Sequence, residues 1–162
     1  MDNSALTLFA STSDAVLHFD GGSRGNPGPA AWGFTIAASD GTILAARGGT
    51  IGIGTNNEAE YGGLIAGLEQ ACELGISNLT VHGDSKLVIE QMAGNWKVKA
   101  PGLQGLHRTA RAHAARLASV TYAHVRRAAN SEADRLVNAA LDSESGTADV
   151  TPGRLSRSSQ GE

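Results

Sequence analysis

Four acidic residues stand where a chain can do chemistry. Asp20 closes the apolar run Ala15-Val16-Leu17-His18-Phe19, and Asp84 directly follows the run Leu79 to Gly83. Glu60 and Asp134 each open a helical pattern. A carboxylate at the end of a buried run is costly unless something positive meets it. Singly, each acid has a plain structural role: a turn residue at 20, a helix cap at 84, and acids at 60 and 134 that complement a helix dipole. Together they suit phosphodiester hydrolysis, which needs an activated water and a neutralised leaving oxygen; two divalent ions about 4 Å apart supply both. Hard cations prefer carboxylate oxygen, so the set fits Mg²⁺ or Mn²⁺, and no Cys or His falls at zinc-like spacing. Covalent catalysis has no candidate: Cys72 sits on an apolar helical face, and there is no G-x-S-x-G elbow. The glycines at 21, 22, 25 and 28 are expected to turn the chain sharply after Asp20 and to let backbone approach a ligand.

These residues need a scaffold, and 162 residues suit one domain with a core. The 41% hydrophobic content is ordinary for a globular chain, and no run of 18 or more apolar residues marks a membrane span. No basic segment followed by a continuous apolar stretch opens the chain, which argues against a secretory signal. The lone Cys72 excludes an internal disulfide and points to a reducing, cytoplasmic setting. Net charge is −3, but between Trp96 and Arg127 there is no Asp or Glu, and Lys97, Lys99, Arg108, Arg111, Arg116, Arg126 and Arg127 all lie there. That distribution fits a surface for a polyanion as well as a solvated helix face.

The patterning predicts strands at 15–20, 31–38 and 42–50, the last two joined by Ser39-Asp40-Gly41. Thr55 to Leu74 carries Tyr61, Leu64, Ile65, Leu68 and Cys72 at helical spacing, with Thr55 and Glu58 placed for a capping box. A strand at 78–83, a helix at 84–92, a Pro-initiated helix at 101–117, a strand at 120–125 and a helix at 130–141 complete the order βββαβααβα. That order implies an α/β fold, a mixed five-stranded sheet flanked by helices. Residues 1–14 and 143–162 are polar with little to bury, and are expected to form a flexible N-terminus and a disordered tail or linker around a domain at 15–142.

The stretches DGGSRGNPGPAAWG, TNNEAEYGGLIAGLEQA, LTVHGDSKLVIEQMAGNWKVK and NSEADRLVNAAL resemble, in order and spacing, the four signature blocks of type 1 ribonuclease H. The resemblance implies an endonuclease with the RNase H-like fold that cuts the RNA strand of an RNA–DNA hybrid with two Mg²⁺ ions, Mn²⁺ substituting, and leaves 5′-phosphate and 3′-hydroxyl ends. It implies a monomer without a membrane partner. Metal-binding and catalytic roles fall on Asp20, Glu60, Asp84 and Asp134. Gly21, Gly22, Ser23 and Asn26 match residues along the RNA strand, where small side chains and backbone reach 2′-hydroxyls. Thr55, Asn56 and Asn57 match positions that read the minor groove and grip a DNA phosphate, and Ser85 and Trp96 complete the substrate contacts. Many family members carry a loop His before the last helix; here the connection is the short RRAAN, similar to archaeal and actinobacterial branches in which an Arg takes that place. Arg127 is the candidate, and His124 falls inside the predicted strand as a sheet residue. A long basic protrusion rich in Trp is missing, leaving Trp96-Lys97-Val98-Lys99. A rival reading, a nucleic-acid-binding module without catalysis, is opposed by the presence of all four acids. Related chains resemble a ribonuclease H fused to a phosphatase, so 143–162 is also readable as a linker.

Overall fold

The computed structural model describes residues 13–143 and the backbone of Asp149–Val150. The rest of the segments expected to be flexible, 1–12, 144–148 and 151–162, lies outside the described residues, while Asp14 already belongs to the first strand.

Alternation along β1 (Asp14–Ser23) sends Ala15, Leu17 and Phe19 into the core and Val16 and His18 to the other face. β2 (Gly28–Ala38) and β3 (Ile43–Gly54) extend it antiparallel, while β4 (Asn78–Gly83) and β5 (Ser119–His124) add on the opposite side in parallel. These five strands form the mixed sheet that the sequence pattern implies, and Asp149–Val150 (β6) adds a short antiparallel ladder on Gly48–Gly49 of β3. The strand order is β5-β4-β1-β2-β3-β6.

On one face, α1 (Asn56–Glu73) packs against β1 and β2, and α2 (Lys86–Met92) and α3 (Pro101–Ala114) close the core with it. Tyr61, Leu64 and Leu68 of α1 meet Leu17, Phe19, Phe34 and Ile36 of the sheet, all fully buried. Burying each such side chain contributes about 1.5–3 kcal/mol before entropy is counted. On the other face, α4 (Ser131–Ser143) lays Val137, Ala140 and Leu141 against Ala31 of β2. A 3₁₀ turn, Arg127–Asn130, leads into it.

One expectation is corrected. The first strand does not stop at Asp20, nor does the second begin at 31 or the third stop at 50. The β1–β2 ladder runs on to Ser23↔Ala30, and the β2–β3 ladder to Gly28↔Gly54, with the reversal made by Gly25 at φ 89° and a cis Asn26–Pro27 bond. Gly and Pro weaken local strand propensity, but cross-strand pairing overrides it. Gly21 and Gly22 therefore lie in a strand and do not turn the chain.

Candidate active site

The β1–β4 pairing ends at Phe19↔Gly83. Beyond it β1 continues alone on that side with Asp20, which pairs with Gly33 of β2, while Asp84 follows the last residue of β4. Two carboxylates thus lie just past the carboxyl end of the parallel β1–β4 ladder, the place where open α/β sheets build their sites. Glu60, one turn into α1, meets them because the helix lies directly on β1. A Cβ on Gly21 would collide with the backbone of Ala59, so only glycine lets the helix approach so closely there.

One oxygen from each of Asp20, Glu60 and Asp84 lies within 4.8 Å of the others. Asp20 is 6% exposed. Burial, reinforced by the charge of Asp84, pushes the Asp20 carboxyl up to about 7, with Asp134 adding to the rise and the Gly21 amide holding it back. Burial raises Glu60 well above the usual carboxylate range, with the charges of Asp20 and Asp84 adding to it. Burial raises Asp84 too, against the opposing pull of Arg127. Asp134, in the first turn of α4, stands at the rim outside the three-carboxylate cluster, with Asn138 Nδ2 3.4 Å from its Oδ2.

Glu60 Oε1 is enclosed and has no hydrogen-bond partner among the described residues. An all-oxygen set of mutually repelling carboxylates with an orphaned buried oxygen fits a hard divalent cation.

A cleft of about 390 Å³ opens on Asp20, Glu60 and Asp134, lined also by Gly21, Gly22, Ser23, Arg24, Asn56 and Arg127. The Ser23 amide and hydroxyl donate to Asn56 Oδ1 at 2.9 and 3.1 Å, and the Asn56 amide donates to Asn26 Oδ1 at 3.0 Å, so the β1–β2 loop is tied to the start of α1. Thr55 forms the expected capping box with Glu58. A separate hollow of about 310 Å³ gathers Asn26, Thr55 and Asn57 beside Gly102. Ser85 caps α2 through its hydroxyl, which accepts from the Val88 amide. The structure does not bring Trp96 to the acids: it is 44% exposed and lines a different groove, of about 430 Å³, with Lys97, Arg108 and Arg111.

Arg127 Nε lies 4.0 Å from Asp84 Oδ2. His124 is the last residue of β5, a sheet residue as expected, and its Nε2 sits 3.3 Å from the Asp84 carbonyl oxygen. The sequence pattern carries the strand one residue too far, to Val125, but its placement of His124 in the sheet holds: His124 pairs with Gly83 and is exposed. Sequence reading missed three residues of the cleft region. Asn138 is hidden in the helical pattern. Asn130 opens the helical pattern at 130–141, and it is 1% exposed and donates to the Phe19 carbonyl at 2.8 Å, fastening the last helix to β1 beside Asp20. Arg24 could have been found, since it stands inside the Gly-rich block.

This sheet, with acids at the ends of its central strands, defines a ribonuclease H-like domain. Residues 18–140 match the family model described as reverse transcriptase-like. A bifunctional protein of Mycobacterium tuberculosis is 49% identical over 143 residues, covering 86% of this chain but 39% of that protein. Ribonuclease HI of Halobacterium salinarum is 46% identical over 125 residues, 77% of this chain and 63% of that one. Against solved structures, the N-terminal RNase H domain of the mycobacterial protein gives a TM-score of 0.80 over 82% of this chain and 96% of that one. LC11-RNase H1, solved in complex with an RNA/DNA hybrid, gives 0.77 at 36% identity over 80% and 98%. The chain belongs to the ribonuclease H family, on its type 1 branch.

Proposed function

We propose that the chain is an endoribonuclease that hydrolyses the RNA strand of RNA–DNA hybrids and leaves 5′-phosphate and 3′-hydroxyl ends. The observation that carries this reading is the cluster of Asp20, Glu60 and Asp84, whose ligand oxygens lie within 4.8 Å of one another. Relatives named ribonuclease HI and a relative solved with a hybrid support it.

Asp20, Glu60, Asp84 and Asp134 would hold two Mg²⁺ ions, with Mn²⁺ as substitute. When bound, the ions supply an activated water and neutralise the leaving oxygen. Burial and neighbouring carboxylates raise both Asp20 and Glu60, so a bound cation would favour their deprotonated forms. Arg127 balances charge at Asp84. Gly21, Gly22, Ser23 and Asn26 follow the RNA strand, where 2′-hydroxyls distinguish RNA from DNA. Thr55, Asn56 and Asn57 hold the DNA strand, Ser85 fixes the turn after Asp84, and Trp96 meets the hybrid away from the acids. Residues 15–142 are the catalytic unit, acting as a monomer. No helix among the described residues is long and apolar enough to cross a membrane, and the lone Cys72 agrees with a cytoplasmic setting.

The test is cleavage of a labelled hybrid in Mg²⁺, with EDTA, single-stranded RNA, duplex RNA and duplex DNA as controls. Cutting confined to the hybrid and lost in EDTA is the expected result. Hybrid binding without cutting would favour the non-catalytic module instead.

A further inference from the structure

Arg24 lines the same cleft as Asp20 and Glu60, next to Gly22 and Ser23. Its backbone is fixed there, because its amide donates to the Pro29 carbonyl at 2.8 Å across the hairpin. Its guanidinium is not free: Nη2 lies 2.7 Å from Asp142 Oδ1 in the last turn of α4. Both side chains are open to solvent, 52% and 69% exposed, so the pair is weak. Asp142 is also badly placed for its own helix. An acid beside the negative end of a helix dipole is unfavourable, and no basic residue in the last turn of α4 offsets it. What its position does provide is a counter-charge for Arg24.

Arg24 and Arg127 are the cations among the residues that line the cleft, and Arg127 already faces Asp84. A backbone phosphate takes the planar guanidinium fork bidentately as a carboxylate does, and it arrives flanked by further phosphates, whereas Asp142 offers one solvent-exposed contact. We propose that Arg24 binds a backbone phosphate of the strand being cut, flanking the scissile one, and that Asp142 is its placeholder: it masks the guanidinium in the free protein and yields it to the incoming phosphate. This rests on the hybrid-cleaving reading above and adds a residue and an exchange to it.

The two partners of an ordinary strut fail in the same direction when either is removed; a binding group and its competitor fail in opposite directions. Binding of a fluorescent RNA–DNA hybrid in EDTA, and KM and kcat in Mg²⁺, are measured for the parent, Arg24→Ala, Arg24→Lys, Asp142→Asn and the double variant, with thermal melts to confirm folding. Arg24→Ala weakens binding about three- to tenfold and lowers the salt slope by about one. Arg24→Lys recovers part of the loss, and the change falls on KM more than on kcat. Asp142→Asn tightens binding about twofold, as release of a weak exposed pair allows. In the Arg24→Ala background the Asp142 substitution has no effect.

Weaker binding in Asp142→Asn, or an Asp142 effect that persists without Arg24, overturns the exchange. A parent that binds hybrid without cutting it overturns the endonuclease reading and leaves Arg24 to be judged on the binding data. A parent that does not bind hybrid overturns both.

Discussion

At the scale of single residues, the buried charge of Asp20 makes sense only with a counter-ion. It is 6% exposed beside two other carboxylates, and its carboxyl is pushed up to about 7 because burial and Asp84 both disfavour the anion. Asp20→Asn keeps the shape and removes the charge. Cleavage in Mg²⁺ is expected to vanish, while metal-free protein melts a few degrees higher than the parent because repulsion with Glu60 and Asp84 is relieved. Full activity in this variant would sink the metal assignment. The acids were legible in the sequence because each follows an apolar run or opens a helical one. Their separation into a tight trio and a rim residue was not, since that depends on how far α1 and α4 approach β1. Arg24 was within reach of the sequence, but its pairing was not: Asp142 lies 118 residues away, a contact that no local pattern shows.

At the scale of elements, glycines decide how close the helices come. A Cβ at Gly33 of β2 would sit 2.6 Å from the Ala133 carbonyl and 2.8 Å from Leu136 Cβ on α4. Gly33→Ala therefore forces the helix outward and is expected to cost about 1–3 kcal/mol by overpacking. Because α4 carries Asp134, the same substitution lowers kcat; an unchanged melt would show that the helix gives way freely. Across β1 and β4, His18 Nε2 and His82 Nδ1 meet at 3.3 Å on the sheet face away from α1. Burial lowers both below the ordinary histidine value, and the charge of His82 lowers His18 further. Groups with depressed folded-state values favour the fold when neutral, so this contribution is whole above about 6.5, the unfolded value, and is lost as pH falls below it. The stability difference between the parent and His82→Gln should shift against the parent as the solution is acidified from pH 7.5 to pH 5; a difference that does not change with pH refutes the coupling. The helices and the β4 span were readable from periodicity and capping. The hairpin ends were not, because Ser23 to Gly28 reads as turn composition while ladder partners on β2 and β3 extend the strands through it.

At the scale of the molecule, the proposed function requires a chain of net charge −3 to attract a polyanion to a cleft that holds a cluster of carboxylates. The charge asymmetry seen in the sequence resolves this spatially. Lys97, Arg108 and Arg111 line a groove with Trp96 that is separate from the acid cleft, and no acid lines it. On the proposed reading, long-range attraction would act on one part of a bound duplex while the acids act on another. In such an arrangement, removing cations from the groove reduces counter-ion release without touching the metal site. Replacing Arg108 and Arg111 together with Ala should weaken hybrid binding and lower the slope of log K against log salt by about two, roughly one for each phosphate left without its arginine. The Mg²⁺ dependence of cleavage at saturating hybrid should stay where it was, because neither residue touches the acids. Binding isotherms between 50 and 200 mM salt, paired with a Mg²⁺ titration of the rate, separate the two effects. An unaltered salt slope would place the electrostatic surface elsewhere, and a shifted Mg²⁺ requirement would show that the groove and the acids are one site.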